Sequence, residues 1–302
     1  MVLGFHSAAL YLWLAFGPRG RCNRLKTLIN HFTPVLLLIR TLGFVTTLSL
    51  WLATSQPVCA AEPLPASSNL LQRVVERAQF VARGGQTNYY AYEKHSVTEE
   101  FDDRDQVIKS AEKHYQVKLI GGIPFTRLVK VQGRKLTAKE LEKQNEREAA
   151  FRQRVTRVDL QKKAKRKEGL ATFELVDRFD FQVTKREIIE GRATFVVTFA
   201  ARPGAPEKSM EDKVFQQVSG TVWVDEEEAE MTKLDASVRG PVSLGLFGAV
   251  GSLNKFQATI ERHRMPDGVW VNRKSTFWIA VRKFLSTTRS KTTEEASGFR
   301  KE

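Results

Sequence analysis

The stretch "GTVWVDEEEAEMTKLDASV" (Gly220–Val238) reads as two short strands folded back on each other about an acidic corner. Thr221 to Asp225 is β-branched and aromatic, Asp225 to Glu228 interrupts the run, and Leu234 to Arg239 returns. Asp favours turns because its carboxylate bonds to nearby backbone N–H groups. Carboxylates this close together also suit a cation, but the corner lacks the loop spacing and glycine of an EF-hand, so turn chemistry is the reading adopted.

The same grammar extends in both directions. Upstream, Phe181 to Ile189 and Thr194 to Ala201 flank Glu190-Gly191, a hairpin signal, with Phe195, Val197 and Phe199 on one strand face. Downstream, Phe256 to Arg264 and Trp270 to Arg282 meet at Pro266-Asp267-Gly268. Nearer the start, Tyr89 to Phe101 turns at Asp102-Asp103-Arg104-Asp105 into Val107 to Ile120. There Val107, Ala111, Tyr115, Val117 and Leu119 alternate with Ser110, Glu112, His114, Gln116 and Lys118, as in a sheet covered on one side. Gly121-Gly122 turns the chain again into Phe125 to Val131. Every connection looks like a hairpin, and no helix-length crossover calls for parallel pairing, so an antiparallel meander is expected.

Two helical segments accompany the strands. Ser67 to Ala82 repeats Leu70, Leu71, Val74, Val75, Ala78 and Val81 at helical spacing, and Arg83-Gly84-Gly85 ends it. Thr137 and Glu140 form a capping box that opens a charged helical run to about Lys167. That run carries few large apolar residues and is expected to lie over the surface and pack thinly. The fold class is therefore α+β, mostly antiparallel β, as a single domain over 62–302 with a charged helical insert at about 135–168.

The first 61 residues read as a leader. Arg40 precedes an uncharged run from Leu42 to Ala53, and Val58-Cys59-Ala60 or Cys59-Ala60-Ala61 offers small residues for signal peptidase near 60/61. An anchor is the competing reading: Val35 to Ile39 extends the run across Arg40 toward the roughly 20 residues a membrane span needs. The apolar stretch Val2 to Phe16 is short for a span and leaves the true start open, and Pro57 and Val58 make a poor lipobox ahead of Cys59. Cleavage removes Cys22 and Cys59, and with them disulfides, thiol catalysis and Cys-ligated metal. It also removes Arg19, Arg21, Arg24, Lys26 and Arg40, so the net charge falls by five from +14 to +9. About 240 residues remain, enough for a domain with a real core. The expected location is the periplasm of a Gram-negative type of cell, or the inner membrane's outer side if the leader is kept.

No constellation demands a reaction. His95, His114 and His263 fall on separate predicted strands without the His-Glu-x-x-His spacing of a zinc pair, and read as ordinary sheet histidines. No Gly-x-Ser-x-Gly elbow is present. The chain is expected to be no enzyme, without catalytic residues, metal or cofactor. The basic run "QKKAKRKEG" (Gln161–Gly169) is a solvated helix laced by ion pairs, or a contact for anionic lipid headgroups or an acidic partner through Lys162, Lys163, Lys165, Arg166 and Lys167. No aromatic ladder interleaves it, so nucleic acid is not an expected partner. The apolar patch Val242 to Leu253 is the candidate ligand contact. Val242, Leu244 and Leu246 alternate as a strand would, followed by Phe247, while Gly245, Gly248 and Gly251 leave the backbone bare. It reads either as a core-facing strand and loop, or as a lip over an apolar groove walled by Trp223, Phe256, Trp270 or Trp278.

In this arrangement the chain resembles the LolA/LolB-like periplasmic proteins, and especially the larger branch of outer-membrane lipoprotein-sorting-like proteins. The resemblance rests on the signal, the Ser67 helix, the Gly220–Val238 corner, "VKVQGRKLTAKELEKQNE" (Val129–Glu146) before a charged helix, and "DGVW" (Asp267–Trp270). It covers most of Asn69 to Arg300 and implies an incomplete β-barrel wrapped over helices, with an apolar concave face that holds an acyl chain. The function expected is non-enzymatic binding of an acyl chain, lipid or lipoprotein tail by a monomer. The alternative is an envelope interaction module with a filled core and a basic partner-binding helix.

Overall fold

The computed structural model describes residues 63–84, 90–155, 176–204, 210–244, 251–283 and 286–301. Helix α1 (Ser67–Gly84) precedes β1 (Tyr90–Phe101), β2 (Val107–Ile120), β3 (Ile123–Val131), β4 (Arg134–Lys135) and α2 (Ala138–Val155). There follow β5 (Phe179–Ile189), β6 (Arg192–Ala201), the short α3 (Met210–Phe215), β7 (Val218–Asp225) and β8 (Met231–Val238). The chain closes with β9 (Val242–Leu244), β10 (Gly251–Arg264), β11 (Trp270–Lys283) and β12 (Ser286–Lys301).

The strands form one 12-stranded sheet in the order β4-β3-β2-β1-β12-β11-β10-β8-β7-β6-β5, with β9 beside β10. All pairings are antiparallel. The expected single meander is therefore two meanders, fused where the first strand pairs with the last, Tyr90 opposite Lys301 through Phe101 opposite Arg289. The sheet is unclosed, with β4 and β5 at its two ends. Strand β12, which joins the halves, has no counterpart in the sequence reading. Its residues, STTRSKTTEEASGFRK, are β-branched in places but carry almost no apolar alternation.

Local chemistry sets the turns. Glu190 and Gly191 both take positive φ, 49° and 76°, the backbone of the hairpin turn that matches strand twist. The Asp102 carboxylate accepts the N–H groups of Arg104 and Gln106 at 2.8 and 2.9 Å. At the corner between β7 and β8, Asp225 is buried, accepts the N–H groups of Glu227 and Glu228, and is clasped by Nε and Nη2 of Arg192 at 2.6 and 2.9 Å. Both acidic corners are thus turns held by hydrogen bonds. The capping box forms as well: Thr137 N–H donates to Glu140 at 2.8 Å and Glu140 N–H donates to Thr137 Oγ1 at 3.3 Å.

Residues directly opposite in neighbouring strands share a face. One face carries the apolar core, in which Leu70 of α1 packs with Phe179, Phe195, Val222, Leu234 and Ile260. A second cluster, Val242, Leu253, Phe256 and Ala258, adjoins it, and Val214 and Val238 pack against both. Glu230 pins α1 to the sheet by joining Arg77 to the enclosed Arg262. Helix α2 docks by polar contact: Gln144 is its buried residue, Glu148 accepts from Lys118 and Arg127, and Phe151 meets Phe125 at 5.1 Å. Among the described residues no helix is long and apolar enough to cross a membrane.

Candidate functional site

Two surfaces of the sheet offer binding chemistry. The first is the apolar face where β9, β10 and β11 meet. Val242 and Phe256, both expected to contact ligand, come together there with Leu253 and Ala258. Phe277, Ile279 and Val281 of β11 pack against this cluster and are only half-buried. Arg282 and Lys283 lie exposed beyond them at the same strand end.

The other expected groove residues are distributed differently. Leu244 lies on β9 with its backbone opposite Gly251, while Leu246 and Phe247 fall outside the described residues, as does the basic run with Lys162, Lys163, Lys165, Arg166 and Lys167. The three tryptophans do not line the patch, because each is engaged elsewhere. Trp223 stands between the core residues Val222 and Val224, so it faces the opposite side of the sheet. There its indole donates to Glu187 at 2.7 Å and Lys233 sits over the ring. Trp270 is buried against the acidic corner and donates to Glu228 at 2.6 Å. Trp278 alternates with Phe277 and Ile279 onto the far face, between Phe101 and Lys255. A sheltered indole N–H needs an acceptor, and for Trp223 and Trp270 a carboxylate supplies it.

The second surface is a polar groove of about 830 Å³ across β1, β2, β3, β11 and β12. The register places a row of side chains across five strands: Lys130, His114, His95, Glu295 and Lys274 are successive opposite neighbours. Glu112 shares the row's face, being two residues from His114 on β2. Its Oε1 accepts from Nε2 of His95 at 2.9 Å and Nε2 of His114 at 2.8 Å, and the two rings stack at 4.4 Å. These two bonds hold the Glu112 carboxyl below its usual range, that from His114 foremost. Lys274 donates to Glu295 at 2.8 Å and lowers that carboxyl in turn.

This histidine cluster is the feature that local spacing missed. His95 and His114 do lie on separate strands, but those strands are partners and the two residues are directly opposite. A signal was present: the midpoint between them falls at Arg104-Asp105, inside the turn already evident in the sequence. The third histidine among the described residues, His263, is apart from the cluster and bonds Glu190.

No family model and no curated protein matches the chain. Among solved structures the chain is similar to a putative outer membrane lipoprotein-sorting protein domain from Vibrio parahaemolyticus, at 10% identity over 77% of this chain and 93% of that one, with a TM-score of 0.32. It is similar to a DUF1329 family protein from Desulfovibrio piger at 10% identity, 77% and 93% coverage and a TM-score of 0.29. A LolA superfamily protein from Nitrosomonas europaea matches at 8% identity, 77% and 93% coverage and a TM-score of 0.22.

Proposed function

We propose that this chain is an exported, non-catalytic binding protein that takes an acyl chain, of a lipid or a lipoprotein tail, on the apolar face where β9, β10 and β11 meet. The observation that carries the reading is the half-buried row Phe277, Ile279 and Val281, continuous with a closed core yet not closed itself. Hydrocarbon laid on that row gains about 0.8 kcal/mol per buried CH₂, so about eight methylenes contribute roughly 6 kcal/mol. Exposed Arg282 and Lys283 at the end of the row suit an anionic headgroup.

The test is extraction and mass spectrometry of lipid from the gene product expressed with its own leader and purified without detergent. A stoichiometric acyl species is expected, and Ile279→Glu is expected to release it while circular dichroism stays unchanged. Retention by Ile279→Glu overturns the assignment of the row. A protein that comes out empty favours a second reading, an envelope interaction module. That reading draws on the polar groove, whose lining by His95, His114, Lys130, Arg273, Lys274 and Glu295 suits charged or hydrogen-bonding groups of a partner.

A further inference from the structure

We propose that His95, Glu112 and His114 form a binding site for one divalent transition-metal ion, with zinc the best fit, on the polar face of β1 and β2. One ligand atom from each of the three residues lies within 4.8 Å of the other two. Glu112 Oε1 already stands 2.9 and 2.8 Å from the two imidazole nitrogens. Around zinc, with ligands at about 2.0–2.1 Å, tetrahedral neighbours are about 3.3 Å apart. The carboxylate then has to retreat by a few tenths of an ångström, and the two imidazoles, stacked at 4.4 Å with their planes 23° apart, have to splay so that both in-plane Nε2 lone pairs meet at one ion, movements open to half-exposed side chains.

The scaffold and the donor set both suit such an ion. Two ligands are directly opposite across a continuous ladder and the third is two residues along the same strand, so the backbone fixes all three. Two imidazoles and one carboxylate favour zinc, copper or nickel, whereas calcium and magnesium ask for more oxygens. The imidazoles are 38% and 37% exposed, so an ion reaches them from solvent. Binding needs no net chemistry beyond prototropy. In both rings Nε2 lies at hydrogen-bond distance from Glu112, and coordination through Nε2 places the ring proton on Nδ1, leaving an Nε2 lone pair for the ion. Three protein ligands leave a coordination position open toward the groove. Lys130 and Lys274 lie along the same row, so the group that completes the shell is expected to be anionic or water.

The test uses the metal alone. The purified gene product, freed of metal by a chelator, is titrated with Zn²⁺ by calorimetry and with Co²⁺ by visible absorption, whose intensity reports the coordination number. One equivalent is expected, with Co²⁺ bands of a four- or five-coordinate site. His95→Ala and His114→Ala are each expected to weaken binding by about 100-fold or more, since even residues behind the ligands cost about 10–100-fold. Glu112→Gln is expected to weaken it as well, and His263→Ala to leave it unchanged. If an alanine variant misfolds by circular dichroism, His95→Gln or His114→Gln replaces it, keeping a polar side chain of similar reach. No saturable binding by the parent chain overturns the proposal, as does binding that survives loss of both His95 and His114.

Discussion

Glu230 lies between two arginines, and removing it is expected to destabilise the fold more than removing the buried arginine does. Its Oε2 is 3.0 Å from Arg262 and its Oε1 is 3.0 Å from Arg77 of α1. The Arg262 side chain is 0% exposed, against 7% for Glu230. Arg262 also donates to the carbonyls of Met231 and Trp270 at 3.0 and 3.2 Å, while its Nε has no partner. Burial opposes the guanidinium charge, and the Glu230 carboxylate counters that. Glu230→Ala leaves a buried cation unpaired, for which about 3–5 kcal/mol is the usual cost. In a domain of this size each kcal/mol lowers Tm by about 2–4 °C, so a drop of roughly 6–20 °C is expected. Arg262→Met removes the cation and fills the space with apolar volume, and Glu230 keeps Arg77. Its cost is expected to be about 1–3 kcal/mol, because no buried charge is left unpaired and the loss is that of the donor to the Met231 and Trp270 carbonyls. Urea unfolding followed by circular dichroism, with the slope held constant, measures both. The reasoning is refuted if Glu230→Ala lies within about 1 kcal/mol of the parent, or if Arg262→Met is the worse of the two.

Two further substitutions probe other parts of the fold. In Gly220→Ala, the new Cβ would stand 2.1 Å from the Asp235 carbonyl oxygen and 2.9 Å from the Ala236 Cα, main-chain atoms of β8 that have no rotamer to escape by. A loss of about 3 kcal/mol is expected on thermal melting, and a neutral result would mean the two strands separate more easily than their pairing implies. Glu148 is held at about 2, below the ordinary 4.5, chiefly by its bond from Lys118 and then from Arg152. A carboxyl lowered in the folded state contributes stability that is complete above about pH 4.5 and is lost as pH falls from there toward 2. Hydrogen exchange of α2 amides should therefore accelerate over that window. Glu148→Gln should cost about 1–2 kcal/mol at neutral pH and flatten the acid limb, and an unchanged limb would remove Glu148 as its source.

Much of the local structure was legible because its causes lie within a few residues. The Glu190-Gly191 hairpin, the Asp102 and Asp225 corners and the Thr137–Glu140 cap each depend on one side chain and its nearest backbone N–H groups. The apolar period of α1 and the alternation along β2 were likewise visible in a short window. Of the candidate site, Val242 and Phe256 converged as their apolar character suggests. The tryptophans were misplaced because their settings are non-local: Glu187 and Glu228 lie 36 and 42 residues from the rings they engage.

The sequence by itself determined the hairpins, the antiparallel sense and the mixed α+β class, because turn chemistry and side-chain alternation act between near neighbours. Only the tertiary structure decided that the first strand pairs with a polar last strand about 200 residues away, and so that Glu295 and Lys274 continue the row begun by His114 and His95. Such a pairing follows from loop closure and packing summed over the whole sheet, and no short window of β12 carries it. The histidine cluster stands between the two cases: its ladder is a local hairpin, yet its chemistry exists only once the register sets His95 opposite His114 and Glu112 beside both.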